Sequence, residues 1–199
     1  MARASGDSVE EDLSAEALNW GCKLIDGNWN SGTRLTSAEN ALAATGQPLE
    51  TVWPYDPRRA TGVAYSPPTR PGAGWHKAQI GQATHNLTTV RAELGAGNPV
   101  VLALVVFDSL FTPTVEGWIE SPPAGSPTRG RHAVLAVGYN TEALLIRNSW
   151  GPTWGIGGYA WLVDDYAEHH IREVWVMQSR TISAPRGGAQ TTGDIYGSR

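Results

Sequence analysis

The chain has 199 residues, 41% apolar and 17% charged, with a net charge of −4, which suits a folded globular protein and argues against global disorder. The arginines are scattered, with Arg58–Arg59 and Arg129/Arg131 the only close pairs, so nothing points to nucleic acid, and no apolar run approaches the roughly 18 residues of a membrane span. One cysteine, Cys22, excludes an internal disulfide and a cysteine-based metal cluster, and the five histidines (76, 85, 132, 169 and 170) lack metal-ligand spacing.

In chain order, the opening MARASGDSVEEDLSAE is polar, with no apolar signal core. Together with the single thiol it leads to the expectation of a reducing, cytoplasmic location. Ser8 to Asp12 offers a capping stretch, and Ser14–Ala15–Glu16–Ala17–Leu18 opens a helix toward Trp20 and Leu24. Thr36 or Ser37 caps a second helix over residues 38–44, which Gly46 ends. Residues 53–56 and 66–74 are rich in Pro and Gly and read as extended linker and loop. A helix at about residues 88–95 precedes 99–106, a Val, Leu and Ala run that reads as a central strand.

Residues 111–129, with four prolines, read as loop. The runs 133–139, 144–147, 159–163 and 174–177 read as four short strands. Helices followed by strands indicate an α+β class with two lobes: a helical lobe over 1–82 and a β-rich lobe over 83–178. The tail 179–199 lacks apolar periodicity and is expected to be disordered.

The stretch RNSWGPTWGIGGYAWL, residues 147–162, holds three tryptophans and four glycines. Alone it reads as strand, glycine-rich loop, strand: a β-hairpin with a long loop and aromatic packing. Its chemistry emerges with the run upstream. His132 stands at the mouth of one strand, and Asn148 follows sixteen residues later at the end of the next. Antiparallel strands joined by a turn at Asn140–Thr141–Glu142 bring the imidazole beside the carboxamide. A histidine that takes and returns a proton needs its other ring nitrogen held by an acceptor, and an Asn oxygen does this without adding charge.

With these residues in hand, the sequence resembles the papain-like cysteine peptidases, family C1. HAVLAVGYN resembles the family's catalytic-histidine strand, and RNSWGPTWGIGGYAWL its asparagine motif, N-S-W-G-x-x-W-G-x-x-G-Y. DLSAEAL resembles the L-S-E-Q-x-L segment and WPYD the Y-P-Y segment in its bacterial form. These lie in the family's order over roughly residues 10–177.

The resemblance implies a two-lobed papain-like fold, with a β-barrel-like second lobe, and peptide-bond hydrolysis without a cofactor. It implies His132 as general acid/base and Asn148 as its orienter. Trp150 would pack over the pair and keep water from their hydrogen bond, and Trp154 with the glycines would fold the loop under the cleft. Gly32 resembles the glycine that pairs with substrate backbone; a simple turn is the equal alternative. Ala133 would line the pocket for the second substrate side chain before the cut. Trp161 and Trp175 read as core packing, His169–His170 as a surface pair, and Asp164–Asp165 as solvated.

One part of the family pattern is missing. The nucleophile segment, of C-G-S-C-W type, lies about 130–150 residues before the histidine, and the oxyanion-hole glutamine lies upstream of it. Neither occurs in this chain. Cys22 precedes His132 by only 110 residues, after LSAEAL, and reads as a small apolar residue at a helix end. Met1–Ala2–Arg3–Ala4 would be the last turn of a truncated central helix. The expectation is therefore an inactive chain, either cut from a longer peptidase or a pseudo-peptidase that binds peptides or a partner. The lost helix would bare an apolar face of the β-rich lobe, which a partner chain supplying that helix would cover.

Overall fold

A computed structural model describes residues 12–68, 71 and 74–177. The expected disordered tail at 179–199 and the helix remnant at 1–4 lie outside the described residues. The elements are α1 (Ala15–Asp26), α2 (Leu35–Ala44), β1 (Ile80–Ala83), α3 (Leu87–Gly95), β2 (Val100–Val105), α4 (Asp108–Phe111), β3 (Trp118–Ile119), β4 (Arg131–Tyr139), β5 (Ala143–Arg147), β6 (Tyr159–Val163), α5 (Asp164–His170) and β7 (Ile171–Met177). The α+β class is as expected: helices lead, and seven strands form one mixed sheet in the order β1-β7-β2-β4-β5-β6-β3.

Ser14 starts α1, its hydroxyl accepting from the Ala17 N–H at 3.0 Å and donating to the Trp53 carbonyl at 2.6 Å. The cap thus also ties the helix to the WPYD segment. α1 and α2 pack closely because Gly21 lacks a side chain: a Cβ there would lie 3.0 Å from that of Ala41. Cys22, Ala38 and Ala41 fill the contact. The cap expected at Thr36 or Ser37 is absent. α2 begins at Leu35 behind Arg34, without a side-chain cap, because the Ser37 hydroxyl instead donates to Asp26 at 2.6 Å. Asp26 also accepts from Thr33 Oγ1 and Arg34 Nε. Burial pushes its carboxyl up, but the bonds from Ser37, Thr33 and Arg34 outweigh this and hold it below the ordinary range.

The main core lies between the sheet and α3 to α5, with Val100, Leu102, Leu104, Leu144, Ile146 and Leu162 fully buried. Tyr166 of α5 is buried, its hydroxyl donating to the Val105 carbonyl at 2.7 Å, and burial pushes its pKa up to about 12. The helices meet the sheet at Leu42, Ile80 and Trp175, with Leu18, Leu35 and Val101 packed alongside.

The stretch read as loop between 111 and 129 contains β3, which pairs in parallel with β6. The solvated reading of Asp164–Asp165 holds for exposed Asp165 and the surface reading of His169–His170 for exposed His169, whereas Asp164 and His170, at the two ends of α5, depart from it. Asp164 is half-buried and paired with Arg91 at 2.7 Å. His170 packs against Phe107 and Tyr166, with ring centroids 4.6 and 5.2 Å away. Trp175 is core, 2% exposed. Trp161, also read as core, is half-buried and stacks on Trp118 at 5.9 Å.

Candidate active site

The site grows from the β4–β5 hairpin. Asn140 makes its turn, with Oδ1 accepting from the Glu142 and Ala143 N–H groups at 2.8 Å each. Antiparallel pairing then runs back to Leu135 opposite Arg147, through a register shift between Ala136 and Gly138. His132 thus sits on β4 near its start, and Asn148 follows the end of β5. The Asn148 N–H donates to the Gly158 carbonyl at 3.0 Å, closing the glycine-rich loop on itself. Gly155 makes that closure possible: its φ is 55°, and a Cβ would lie 2.2 Å from the Tyr159 oxygen. Trp154, 7% exposed, anchors the loop from below through its indole N–H to the Leu110 carbonyl at 2.9 Å.

His132 Nε2 lies 2.8 Å from Asn148 Oδ1. The Ser149 backbone N–H donates to the same oxygen at 2.8 Å. A backbone N–H can only donate, so the atom facing it is the carboxamide oxygen, and the histidine nitrogen must carry a proton to bond it. Neutral His132 is therefore the Nε2–H tautomer, with its Nδ1 lone pair available as a base. Nδ1 has no partner among the described residues. Trp150 stacks on His132 at 4.7 Å between centroids, and Phe111 stacks on Trp150 at 5.2 Å with rings 3° from parallel. Asn148 is 9% exposed, and its Nδ2 is buried without a partner among the described residues.

The structure thus gathers His132, Asn148, Trp150 and Trp154 into one cluster. Ala133 lies exposed beside His132 and pairs with Ala103 of β2. Gly32 is on the loop after α1, exposed, with φ 76°. Its carbonyl accepts from Lys23 Nζ. Cys22 is 1% exposed inside the α1–α2 contact, and burial raises its thiol pKa. Phe111 and the Leu110 carbonyl escape a sequence reading: they belong to α4, whose only signal is Asp108 ahead of Leu110. Among the described residues, no group of three His, Cys, Asp or Glu could hold a metal, and no helix is long and apolar enough to cross a membrane.

A strand-borne histidine whose tautomer is fixed by an amide oxygen, under a tryptophan roof, can take and return a proton at one ring nitrogen. The model of the papain family cysteine proteases matches residues 6–178, and the chain belongs to that family. Chymomexicain of Jacaratia mexicana is 29% identical over 157 residues, 76% of this chain and 65% of that protein. The peptidase C1-like protein L477 of Acanthamoeba polyphaga mimivirus is 33% identical over 98 residues, 46% of this chain and 32% of that protein. Among solved structures, xylellain, a cysteine protease from Xylella fastidiosa, superposes with a TM-score of 0.74 at 26% identity, covering 87% of this chain and 72% of that chain. The chain spans 32% of the length of the first curated relatives it matches.

Proposed function

We propose that this chain is the acid–base and substrate-binding part of a papain-like peptidase that hydrolyses peptide bonds. The observation that carries the reading is the 2.8 Å bond between His132 and Asn148, which leaves Nδ1 as the working nitrogen. In this reading a cysteine thiol outside these 199 residues, on an adjoining segment or a partner chain, gives its proton to His132 Nδ1. The thiolate attacks the peptide carbonyl. Imidazolium returns the proton to the leaving amine as the C–N bond breaks, leaving a thioester. Water, deprotonated by His132, then attacks the thioester and releases the acid, and the thiolate leaves. Asn148 holds the ring through both proton transfers, Trp150 screens their bond, and no cofactor is required.

The thiol would arrive on a helix covering the sheet face opposite the core. There Ala103 and Leu135 are half-buried and Ala133 is exposed, an apolar surface that fits an apolar helix face. A second reading, a non-catalytic protein that binds peptides or a partner in the same cleft, is favoured by the burial of the only cysteine, Cys22.

One experiment separates the two. The reading frame is expressed with its natural upstream sequence and tested for hydrolysis of peptide anilides and for covalent labelling by an epoxide thiol-peptidase inhibitor. Turnover and labelling, both abolished by His132→Ala, support the peptidase. A folded product that binds peptides with neither activity establishes the second reading. Turnover that survives His132→Ala overturns the mechanism.

A further inference from the structure

A concavity of about 600 Å³, within the usual range of small-molecule sites, lies where the end of β2 meets the junction of α5 and β7. Val105 and Phe107 line it from the first, His170 and Arg172 from the second, and Pro122 and Pro123 from the stretch 121–128. His132, Asn148 and Trp150 take no part in its lining. Its apolar side is preformed. Phe107 is 6% exposed, and its ring meets those of His170 at 4.6 Å and Tyr166 at 5.9 Å between centroids. Pro122 and Pro123 fix two successive φ angles. Just beyond them the Ser126 N–H and hydroxyl both donate to the Pro123 carbonyl, at 3.1 and 2.7 Å, which closes a turn.

The polar side is only half satisfied. Arg172 is exposed, yet its guanidinium is held in place: Nη1 donates to the His169 carbonyl at 2.8 Å and to the Ile171 carbonyl at 3.3 Å. These bonds also cover carbonyls at the end of α5, whose negative end would otherwise repel an anion. They leave the Nε–Nη2 edge, whose two N–H groups match the two oxygens of a carboxylate. Among the described residues no carboxylate pairs with Arg172. Asp165 is the one carboxylate in the lining, and its Oδ1 lies 3.4 Å from His169 Nδ1. Ser121 lines the same space, and its Oγ is buried with no partner among the described residues. A buried hydroxyl costs free energy until something bonds it.

We propose that this concavity binds a small organic acid, with an aromatic or branched apolar body against Phe107, Pro122 and Pro123 and its carboxylate on the Nε–Nη2 edge of Arg172. An inorganic anion would leave the apolar wall uncovered. A neutral body of the same shape would leave Arg172 without its partner. Only the combination answers both, and its entry brings a polar group to the space that the Ser121 hydroxyl borders. The site is separate from the His132 cluster, and it stands whether or not this chain takes part in peptide hydrolysis.

The test is a titration of the ¹⁵N-labelled 199-residue chain with 3-phenylpropionate, followed by ¹H–¹⁵N spectra of the backbone and of the histidine rings. The expected result is that the His170 ring and the Ser121 amide move on one saturation curve while the Trp150 indole N–H stays still. The alcohol 3-phenylpropanol, which keeps the body without the charge, and propionate, which keeps the charge without the body, should each bind at least about 10-fold more weakly. Arg172→Gln should weaken 3-phenylpropionate roughly 10-fold, the worth of a charge-assisted contact. Arg172→Lys, which keeps the charge and loses the fork, should fall between the two. Equal binding of acid and alcohol, or acid affinity unchanged in Arg172→Gln, overturns the proposal. So does a response confined to Trp150, or no saturable response at His170 and Ser121. The comparison of probes on the unsubstituted chain decides the matter even if a variant fails to fold.

Discussion

Replacing Asn148 by Ala should change the state of His132 far more than it changes the stability of the protein. Two hydrogen bonds end on Asn148 Oδ1, from His132 Nε2 and from the Ser149 N–H. Each contributes about 0.5–1.5 kcal/mol net, so their loss costs about 2 kcal/mol. The same substitution deletes Nδ2, a buried donor with no partner among the described residues, and leaving such a group unsatisfied costs about 1–3 kcal/mol. The two effects oppose each other, and the net destabilisation should be no more than about 1 kcal/mol. The tautomer balance of His132 has no such offset. Losing one acceptor worth about 1 kcal/mol moves the Nε2–H to Nδ1–H ratio about fivefold toward Nδ1–H. Long-range ¹H–¹⁵N spectra of the neutral ring read this ratio directly, and urea unfolding reads stability. An unsubstituted protein already in the Nδ1–H form would refute the reasoning, as would a variant whose ring nitrogens are unmoved.

Other expectations follow from α1 and the residues packed around it. Arg59→Met leaves the Glu16 carboxylate, 3% exposed, without its ion-pair partner; because Arg59 is itself 29% exposed, the cost should be about 2–3 kcal/mol, below that of a fully buried pair. The double variant Glu16→Gln/Arg59→Met should recover most of it, and a urea midpoint unchanged in the single variant would contradict this. Asp26 has a folded pKa below its ordinary value, so the stability it contributes is full above that value and is lost as pH falls through the folded one. Asp26→Asn should accordingly flatten the acid limb of stability against pH, and an unchanged limb would remove Asp26 as its source. The Cys22 thiol, buried and raised in pKa, should react with a small disulfide reagent only as fast as the lobe opens. Rapid stoichiometric labelling in the native state, or labelling by a peptide electrophile that His132→Ala abolishes, would show that it has been misassigned.

What was legible in the sequence was local or carried by dense motifs. The run from Ser14 announces α1, although its cap is the Ser14 hydroxyl, a contact over three residues, and not the stretch expected at Ser8 to Asp12. His132 and Asn148 announce each other because one hairpin turn sets their spacing. β1 and β3 were not legible: IGQA and WI are strands only because β7 and β6 lie beside them, and the pattern of a short segment says nothing of its distant partner. The cap on α2 was misread because Ser37 had a stronger offer from Asp26, eleven residues back. α5 was hidden in a polar run, DDYAEHH, whose only buried residues are Tyr166 and Ala167. Phe111 reaches Trp150 through tertiary packing, which no spacing rule encodes.

The strand order also dictates a timetable. Among the described strands β7 is synthesised last yet lies between β1 and β2, joining an early part of the chain to the centre of the sheet. The β4–β5 hairpin needs only neighbours in sequence, and such a hairpin closes in about 1–10 μs. On a ribosome adding about 5–20 residues per second, the His132–Asn148 pair can form as soon as the loop beyond it emerges. The facing edges of β1 and β2 must wait for Ile171–Met177, and open edges of this kind invite pairing with other chains. A nascent chain stalled after β6 would therefore hold the His132–Asn148 pair on an unfinished, adhesive platform, and the arrival of β7 would be the step that makes it safe.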